Sequence, residues 1–207
     1  MRQQLHTQGI ALILLCSLFA LSPTASARGQ FSVDINPLWL VMTLTQDDEP
    51  YIRTGVSYFL EDSHYEVALP FAFADYTEDS LDNNWVNVSI FSADIIVRRY
   101  WNKNPQTKGG FYLGPFIRGT YLLSYISHYN STDWELIDNS DKKFGAGIDI
   151  GVKKITDNGF FWAASISVGQ YFSGEHGKYV ISEGSTAYKY NQKHIIDVDL
   201  LKFGLVF

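Results

Sequence analysis

From residue 30 onward the chain alternates apolar and polar positions with a period of two, interrupted by short runs of Gly, Asn, Asp, Ser and Pro. That pattern predicts strands whose successive side chains face opposite sides, one side apolar. Eight segments show it. The first, about residues 30–43, sets Phe31, Val33 and Ile35 against Ser32, Asp34 and Asn36, with Pro37 marking a bulge or an edge. The second, residues 51–60, sets Ile52, Thr54, Val56, Tyr58 and Leu60 against Arg53, Gly55, Ser57 and Phe59. In the third, 64–74, Tyr65, Val67, Leu69, Phe71 and Phe73 oppose Glu66, Ala68, Pro70, Ala72 and Ala74. The fourth, 85–101, has Phe91, Ala93, Ile95 and Val97 against Ser92, Asp94, Ile96 and Arg98. The fifth, 110–127, has Phe111, Leu113, Ile117, Tyr121 and Leu123 against Tyr112, Gly114, Phe116, Arg118 and Thr120. The sixth alternates most regularly: Phe144, Ala146, Ile148, Ile150 and Val152 with Gly145, Gly147, Asp149, Gly151 and Lys153. The seventh places Trp162, Ala164, Ile166 and Val168 opposite Ala163, Ser165, Ser167 and Gly169. The eighth puts Leu201, Phe203, Leu205 and Phe207 on one face and Leu200, Lys202, Gly204 and Val206 on the other.

Each segment reaches the roughly 9–11 residues that a tilted strand needs to cross a bilayer. A soluble β-sandwich also alternates, and the connections decide between the two. With both termini on the periplasmic side, the expected periplasmic turns are residues 61–63, 102–108 and 156–159, the last carrying the two-residue hairpin signal Asn158-Gly159. The expected external loops, 46–50, 76–84, 130–141 and 173–191, are mostly longer. An even number of strands joined by short turns on one side and longer loops on the other predicts an all-β, eight-stranded antiparallel up-and-down transmembrane β-barrel. Trp39, Trp85, Trp101, Tyr125 and Tyr171 fall near strand ends, where aromatic girdles would meet the headgroups.

Both ends of the chain agree with that compartment. Arg2 and a polar stretch precede an apolar run over residues 10–15, extended through Leu18, Phe19, Ala20 and Leu21 and followed by Ala25-Ser26-Ala27. This is a secretory signal peptide with cleavage expected after Ala27, so that residues 28–207 form the barrel; the run is too short for a membrane anchor. Leu14 and Leu15 before Cys16 do not suit a lipoprotein. At the other end, an amphipathic strand finishing on Phe207 resembles the terminal strand of bacterial outer-membrane barrels. That resemblance implies that Phe203, Leu205 and Phe207 form the signal read by the barrel-assembly machinery.

Composition narrows the chemistry. Cys16 is the only cysteine and departs with the leader, leaving no thiol for disulfides, catalysis or metal binding. Without Arg2, 15 basic residues face 22 acidic ones, a net charge of −7 that excludes a nucleic-acid footprint. Mean hydropathy lies near zero although a membrane protein is expected. A barrel confines its apolar residues to every second position and should average out in this way.

Eight strands enclose an interior just wide enough to be filled by side chains. The inward positions collect Asp34, Glu66, Asp94 and Asp149 with Arg53, Arg98, Arg118, Lys153 and Lys202, and these predict a mutually satisfied ionic network in the lumen. The alternative is a narrow ion path lined by the same residues. Gly145, Gly147 and Gly151 share that face, where close packing or sheet curvature accounts for them better than a phosphate loop, since no helix follows.

The segments Asp34-Ile35-Asn36-Pro37-Leu38, Arg99-Tyr100-Trp101, Gly110-Phe111-Tyr112-Leu113-Gly114-Pro115 and Asn158-Gly159-Phe160 resemble those of small Gram-negative outer-membrane proteins defined by a domain of unknown function. Their architecture is similar to the eight-stranded outer-membrane protein A and W type barrels. The resemblance implies the barrel and supplies no catalytic residues.

Two barrel enzyme types share this architecture, lipid A deacylases and palmitoyltransferases. Ser127, His128, Ser131 and Glu135 cluster near one external loop, but residues three apart on a strand point to opposite faces, so no catalytic set is expected. His64, His176 and His194 have no metal-ligand spacing, and no metal or cofactor is expected. The acidic loops (Asp47, Asp48, Glu49; Glu78, Asp79, Asp82; Asp133, Glu135, Asp138, Asp141) read as a soluble surface, or alternatively as sites where divalent cations bridge to lipopolysaccharide. The expectation is a monomeric, non-enzymatic barrel whose partners are outer-membrane lipid and lipopolysaccharide, with a small channel or apolar-ligand conduit as the alternative.

Overall fold

A computed structural model describes residues 30–39, 41, 50–61, 63–79, 85–101, 109–130, 133–174 and 193–207. Eight strands form one closed barrel in chain order: β1 Phe31–Ile35, β2 Tyr51–Phe59, β3 Tyr65–Asp79, β4 Trp85–Tyr100, β5 Gly110–Asn130, β6 Asp133–Ile155, β7 Phe160–Ser173 and β8 His194–Val206. Every neighbouring pair is antiparallel, and β8 returns to β1 to close the wall. Closure leaves no open sheet edge around the wall, the condition a sheet must meet to sit in lipid. No helix among the described residues is long and apolar enough to cross a membrane, which says nothing of a barrel.

Alternation decides what lies inside. Ile117, Ile148, Ile150 and Val168 are about half exposed on the outer wall, while Glu66, Asp149 and Lys153 at alternate positions are sealed inside. The outside is apolar and the inside charged, the reverse of a water-soluble domain.

The strands depart from simple alternation at defined places. The first strand does not continue to Thr43. It ends at Ile35, and Asn36 turns the chain into a short helical segment at 37–39. The Asn36 carboxamide oxygen accepts the Leu38 amide at 3.1 Å, and Pro37 suits the first helical position because its missing amide has no helical partner there. Within the stretches expected as loops at 76–84 and 130–141, residues 76–79, 130 and 133–141 are strand: β3 and β4 pair out to Asp79↔Trp85, and β5 and β6 out to Asn130↔Asp133. The loops expected at 46–50 and 173–191 lie mostly outside the described residues. The turn at 156–159 has three residues, not two, between the paired Thr156 and Phe160, and Gly159 supplies the left-handed conformation (φ 82°) that such a loop needs.

Two bulges reset the parity. On β8, Lys202 lies opposite Ala163 but Asp199 opposite Ser165, so β8 carries one extra residue. Leu200 and Leu201 therefore both face outward, and Leu200 does not share the Lys202 face. On β7, Gly145 lies opposite Tyr171 and Phe144 opposite Ser173. Tyr171 precedes this bulge and faces inward on the same parity as Ala163 to Gly169, its hydroxyl 2.9 Å from that of Thr120, and it is not a girdle residue. Trp101 is exposed and packs on Phe111 (centroids 5.6 Å apart), and Trp39 packs on Tyr51 at 4.2 Å. The side chains of Trp85 and Tyr125 lie outside the described residues.

Deleting Leu200 should leave a barrel that still folds. The deletion removes the bulge and lets β8 alternate strictly, with Lys202, Asp199 and Asp197 all still inward. Heat-modifiable gel migration after refolding in detergent checks this; loss of the shift in the deletion would show that the bulge itself is required.

Candidate functional site

Among the described residues the lumen is where this chain gathers chemistry, and its filling starts from glycines. A Cβ at Gly147 would lie 2.7 Å from the Phe116 ring, at Gly151 2.5 Å from the Tyr112 hydroxyl, and at Gly204 2.4 Å from the Phe161 ring. Each missing side chain leaves room for an aromatic from the neighbouring strand. Phe59, Tyr100, Tyr112, Phe161, Ala163 and Val206 form an apolar plug at the end where the short turns lie. A second apolar layer, Ala68, Ile96, Phe116 and Ile195 with Tyr171 packed on it, lies toward the other end.

Two ionic clusters occupy the space between and around these layers. In the first, Glu66 on β3 is fully buried and accepts four donors. Lys153 approaches Oε1 at 2.6 Å and the Ser57 hydroxyl donates to the same oxygen; Tyr100 Oη donates to Oε2 at 2.6 Å and Arg98 at 3.3 Å. Arg98 also donates from Nε to Asp149 at 3.0 Å, and Asp149 accepts Ser167 at 2.8 Å. The Arg98 guanidinium lies 4.7 Å from the Tyr112 ring centroid. Lys153 donates further to Ser32 at 3.1 Å and sits 4.0 Å from the Phe161 centroid. Glu66 and Asp149 balance Arg98 and Lys153.

The second cluster spans the lumen from β4 to β8. Arg118 holds Asp94 with two parallel bonds of 2.6 Å, the bidentate fork that planar guanidinium favours. Its Nη2 also donates to Asp197, which Arg53 reaches at 3.2 Å. Arg53 lies 3.1 Å from Asp199, which also meets Lys202 at 2.7 Å and the Asn36 carboxamide at 2.9 Å. Asp94, Asp197 and Asp199 balance Arg53, Arg118 and Lys202. Each cluster is therefore neutral within itself, as charges removed from water require.

Eight of the nine lumen residues expected from alternation thus lie in ion pairs: Arg53, Glu66, Asp94, Arg98, Arg118, Asp149, Lys153 and Lys202. Asp34 makes no ion pair within 4 Å among the described residues; its carboxylate stands over Gly55, where a Cβ would be 3.2 Å away. Sequence reasoning missed Asp197 and Asp199. A signal was present, since these two alternate with Ile196, Val198 and Leu200, but reading the last strand back from Phe207 stops at the Leu200-Leu201 bulge. Tyr100, one position inward beyond Arg98, was missed for want of charge.

Of the residues considered for catalysis, backbone register sets His128 opposite Glu135 and Ser127 opposite Leu136, and the side chains of these four lie outside the described residues. Ser131 and His176 lie outside the described residues, His64 precedes β3, and His194 is exposed at the start of β8. Among the described residues no group of three His, Cys, Asp or Glu could hold a metal ion. Phe203, Leu205 and Phe207 occupy alternate positions on the outer side of β8 and just past it. Phe203 stacks on Phe160 at 5.7 Å, and the Phe207 amide bonds the Phe31 carbonyl across the closing seam at 2.8 Å.

No family model matches the chain, and no curated protein matches it in sequence. Among solved structures, it is similar to the N-terminal β-barrel domain of Pseudomonas aeruginosa OprF, with 16% identity over 87% of this chain and 98% of that one and a TM-score of 0.31.

Proposed function

We propose that the protein is a non-enzymatic outer-membrane β-barrel of a Gram-negative envelope, with a structural or surface-interaction role and a lumen filled rather than open. One observation carries this reading. The wall is apolar and exposed on the outside, whereas the charges lie inside in two self-neutral clusters packed between aromatic layers. In this reading residues 1–27 direct export and are removed. The outer wall meets membrane lipid and lipopolysaccharide, and the barrel works as a monomer. Phe203, Leu205 and Phe207 are what the barrel-assembly machinery reads.

Heat-modifiable migration on gels and recovery in the outer-membrane fraction test it; soluble periplasmic material needing no detergent would overturn it. A finer check uses Ile150, a half-exposed position midway along the outer face of β6. Ile150→Arg should destabilise the barrel in lipid by about 2–4 kcal/mol, the cost of a cation at the bilayer midplane, while Lys142→Arg nearer the rim should cost almost nothing. Urea titration in phospholipid vesicles reads the difference, and equal stabilities would place Ile150 outside the hydrocarbon.

The conduit reading rests on the small inward residues Ala68, Ala72, Gly145, Gly147, Ala163 and Ser165. Neighbours occupy much of the room they leave: a Cβ on Gly145 would lie 2.6 Å from Ile195, and Ala68 and Ala163 are buried. Planar bilayers containing the barrel should show no steady conductance. A stable single-channel current would favour the conduit instead.

A further inference from the structure

Two prolines sit inside strands of the closed wall, Pro70 on β3 and Pro115 on β5, on either side of β4. Each is fully registered on its far side, Gly55↔Pro70 with β2 and Pro115↔Ile148 with β6. On the β4 side the pairing skips it. β3 and β4 pair at Ala68↔Ile96 and next at Phe71↔Ala93, while β4 and β5 pair at Ile96↔Phe116 and next at Arg99↔Leu113. Both strands advance equally across each gap, so no residue is inserted. Pro70 lies opposite Asp94, and Pro115 opposite Val97.

What the gaps lack is a donor. A hydrogen-bonded antiparallel pair exchanges two N–H···O bonds, and proline has no N–H to give. The Asp94 carbonyl on one edge of β4 and the Val97 carbonyl on the other each lose the ladder donor that faces them. Proline within a sheet is ordinarily confined to edge strands, strand starts and bulges. Here two of them flank one interior strand, in a wall where hydrocarbon offers no water to replace the lost bonds.

The weakened segment separates two apolar regions. On its outer side Ile95 and Val97 are 48% and 39% exposed. On its inner side Ala68, Ile96 and Phe116 are buried in the apolar layer that also holds Ile195. Side chains replace part of the missing ladder: Asp94 is held by the Arg118 fork, and Arg98 by Glu66 and Asp149. These ties act from inside and leave both edges of β4 short of a bond. Local opening is drawn from the least-bonded parts of a fold.

We propose that the wall yields at β4 between Asp94 and Arg98 and admits one hydrocarbon chain from the membrane to the Ile96 layer, a lateral port for apolar molecules dissolved in the bilayer. The inference rests on the outer-membrane reading above, because only a wall facing lipid has such chains beside it. The lumen is filled at rest, so a chain enters by displacing the Ile96 and Phe116 side chains. The charged pairs Asp94–Arg118 and Arg98–Glu66 flank the layer along the barrel and confine an apolar guest to it. A sideways opening carries no ions, which agrees with a barrel that shows no conductance.

The test places the mature barrel in vesicles of a phospholipid with a diazirine near the midpoint of one acyl chain. Irradiation expels dinitrogen, the carbene inserts into a neighbouring C–H or O–H bond, and mass spectrometry of peptides locates the adducts. The outward residues Ile95, Val97 and Ile148 should all be labelled. Among inward residues, Ala68, Ile96 and Phe116 should be labelled at least fivefold more than Ser167, which is buried on the β7 side of the same lumen. Pro70→Val with Pro115→Val returns both donors and should lower the inward labelling at least fivefold, with the outward labelling unchanged. Heat-modifiable migration confirms folding; if the pair fails to fold, the single variants replace it, each expected to lower inward labelling at least twofold. Inward labelling no higher than at Ser167, or labelling undiminished by the valines in a folded barrel, would overturn the proposal. A protein unlabelled even at Ile95 and Ile148 has not entered the bilayer and overturns the outer-membrane reading instead, so the two failures are distinct.

Discussion

Replacing Glu66 with Ala is expected to destabilise the barrel by about 3–5 kcal/mol, the cost of breaking a buried ion pair by removing one partner. The magnitude follows from what the carboxylate holds. Lys153 and Arg98 reach it from two other strands, and the Ser57 and Tyr100 hydroxyls donate to it as well. After truncation Arg98 keeps Asp149, but Lys153 keeps only the Ser32 hydroxyl and two aromatic faces, with no carboxylate in hydrogen-bond reach among the described residues. An ammonium sealed from water in that state is the main source of the loss. Glu66→Gln should retain part of the hydrogen bonding and fall between Ala and wild type. The charge-balanced pair Glu66→Gln with Lys153→Met should recover most of the Glu66→Gln loss, because replacing a whole buried pair is often nearly neutral. Urea unfolding in vesicles, followed by tryptophan emission, of wild type, Glu66→Gln, Lys153→Met and the pair gives the four stabilities of the cycle. If Glu66→Ala loses less than about 1 kcal/mol, water must enter the lumen and the filled interior is wrong.

Gly204→Ala should prevent closure of the barrel altogether. A Cβ at this position would stand 2.1 Å from the Val33 carbonyl oxygen and 2.4 Å from the Phe161 ring. A flexible ring can yield, but a backbone oxygen inside a strand ladder cannot. The position also lies on the shortest seam, where β1 and β8 share only four registered pairs, Ser32↔Val206 to Ile35↔Phe203. Displacing Val33 therefore costs a large share of the closing hydrogen bonds. Gly119→Ala is the matched control, since its Cβ would meet nothing nearer than 3.8 Å. Refolding yields read from gel migration should be near wild type for Gly119→Ala and close to nil for Gly204→Ala. Adding Phe161→Leu to Gly204→Ala relieves only the ring contact and should not restore folding; full rescue would show that the ring, and not the carbonyl, is the obstacle.

The sequence by itself determined the barrel, its strand number and the face each residue takes along most of its length. The physical reason is that period-two alternation is local. A strand with one apolar side reads the same whichever neighbours it has, so Phe111 to Tyr121 and Phe144 to Val152 declare their outward faces without the fold. Charges on the opposite parity, from Arg53 to Lys202, were legible for the same reason. What fails is anything set by register between strands. The extra residue at Leu200-Leu201 shows no local oddity, yet it reverses parity and brings Asp197 and Asp199 inside. Strand ends were equally hidden at Ile35 and Asn130, because the first depends on Asn36 capping a turn and the second on a partner strand extending as far. Which carboxylate meets which cation was likewise decided only by closure. Glu66 and Lys153 are far apart in the chain, and only the curvature that joins β8 to β1 sets their distance across the lumen.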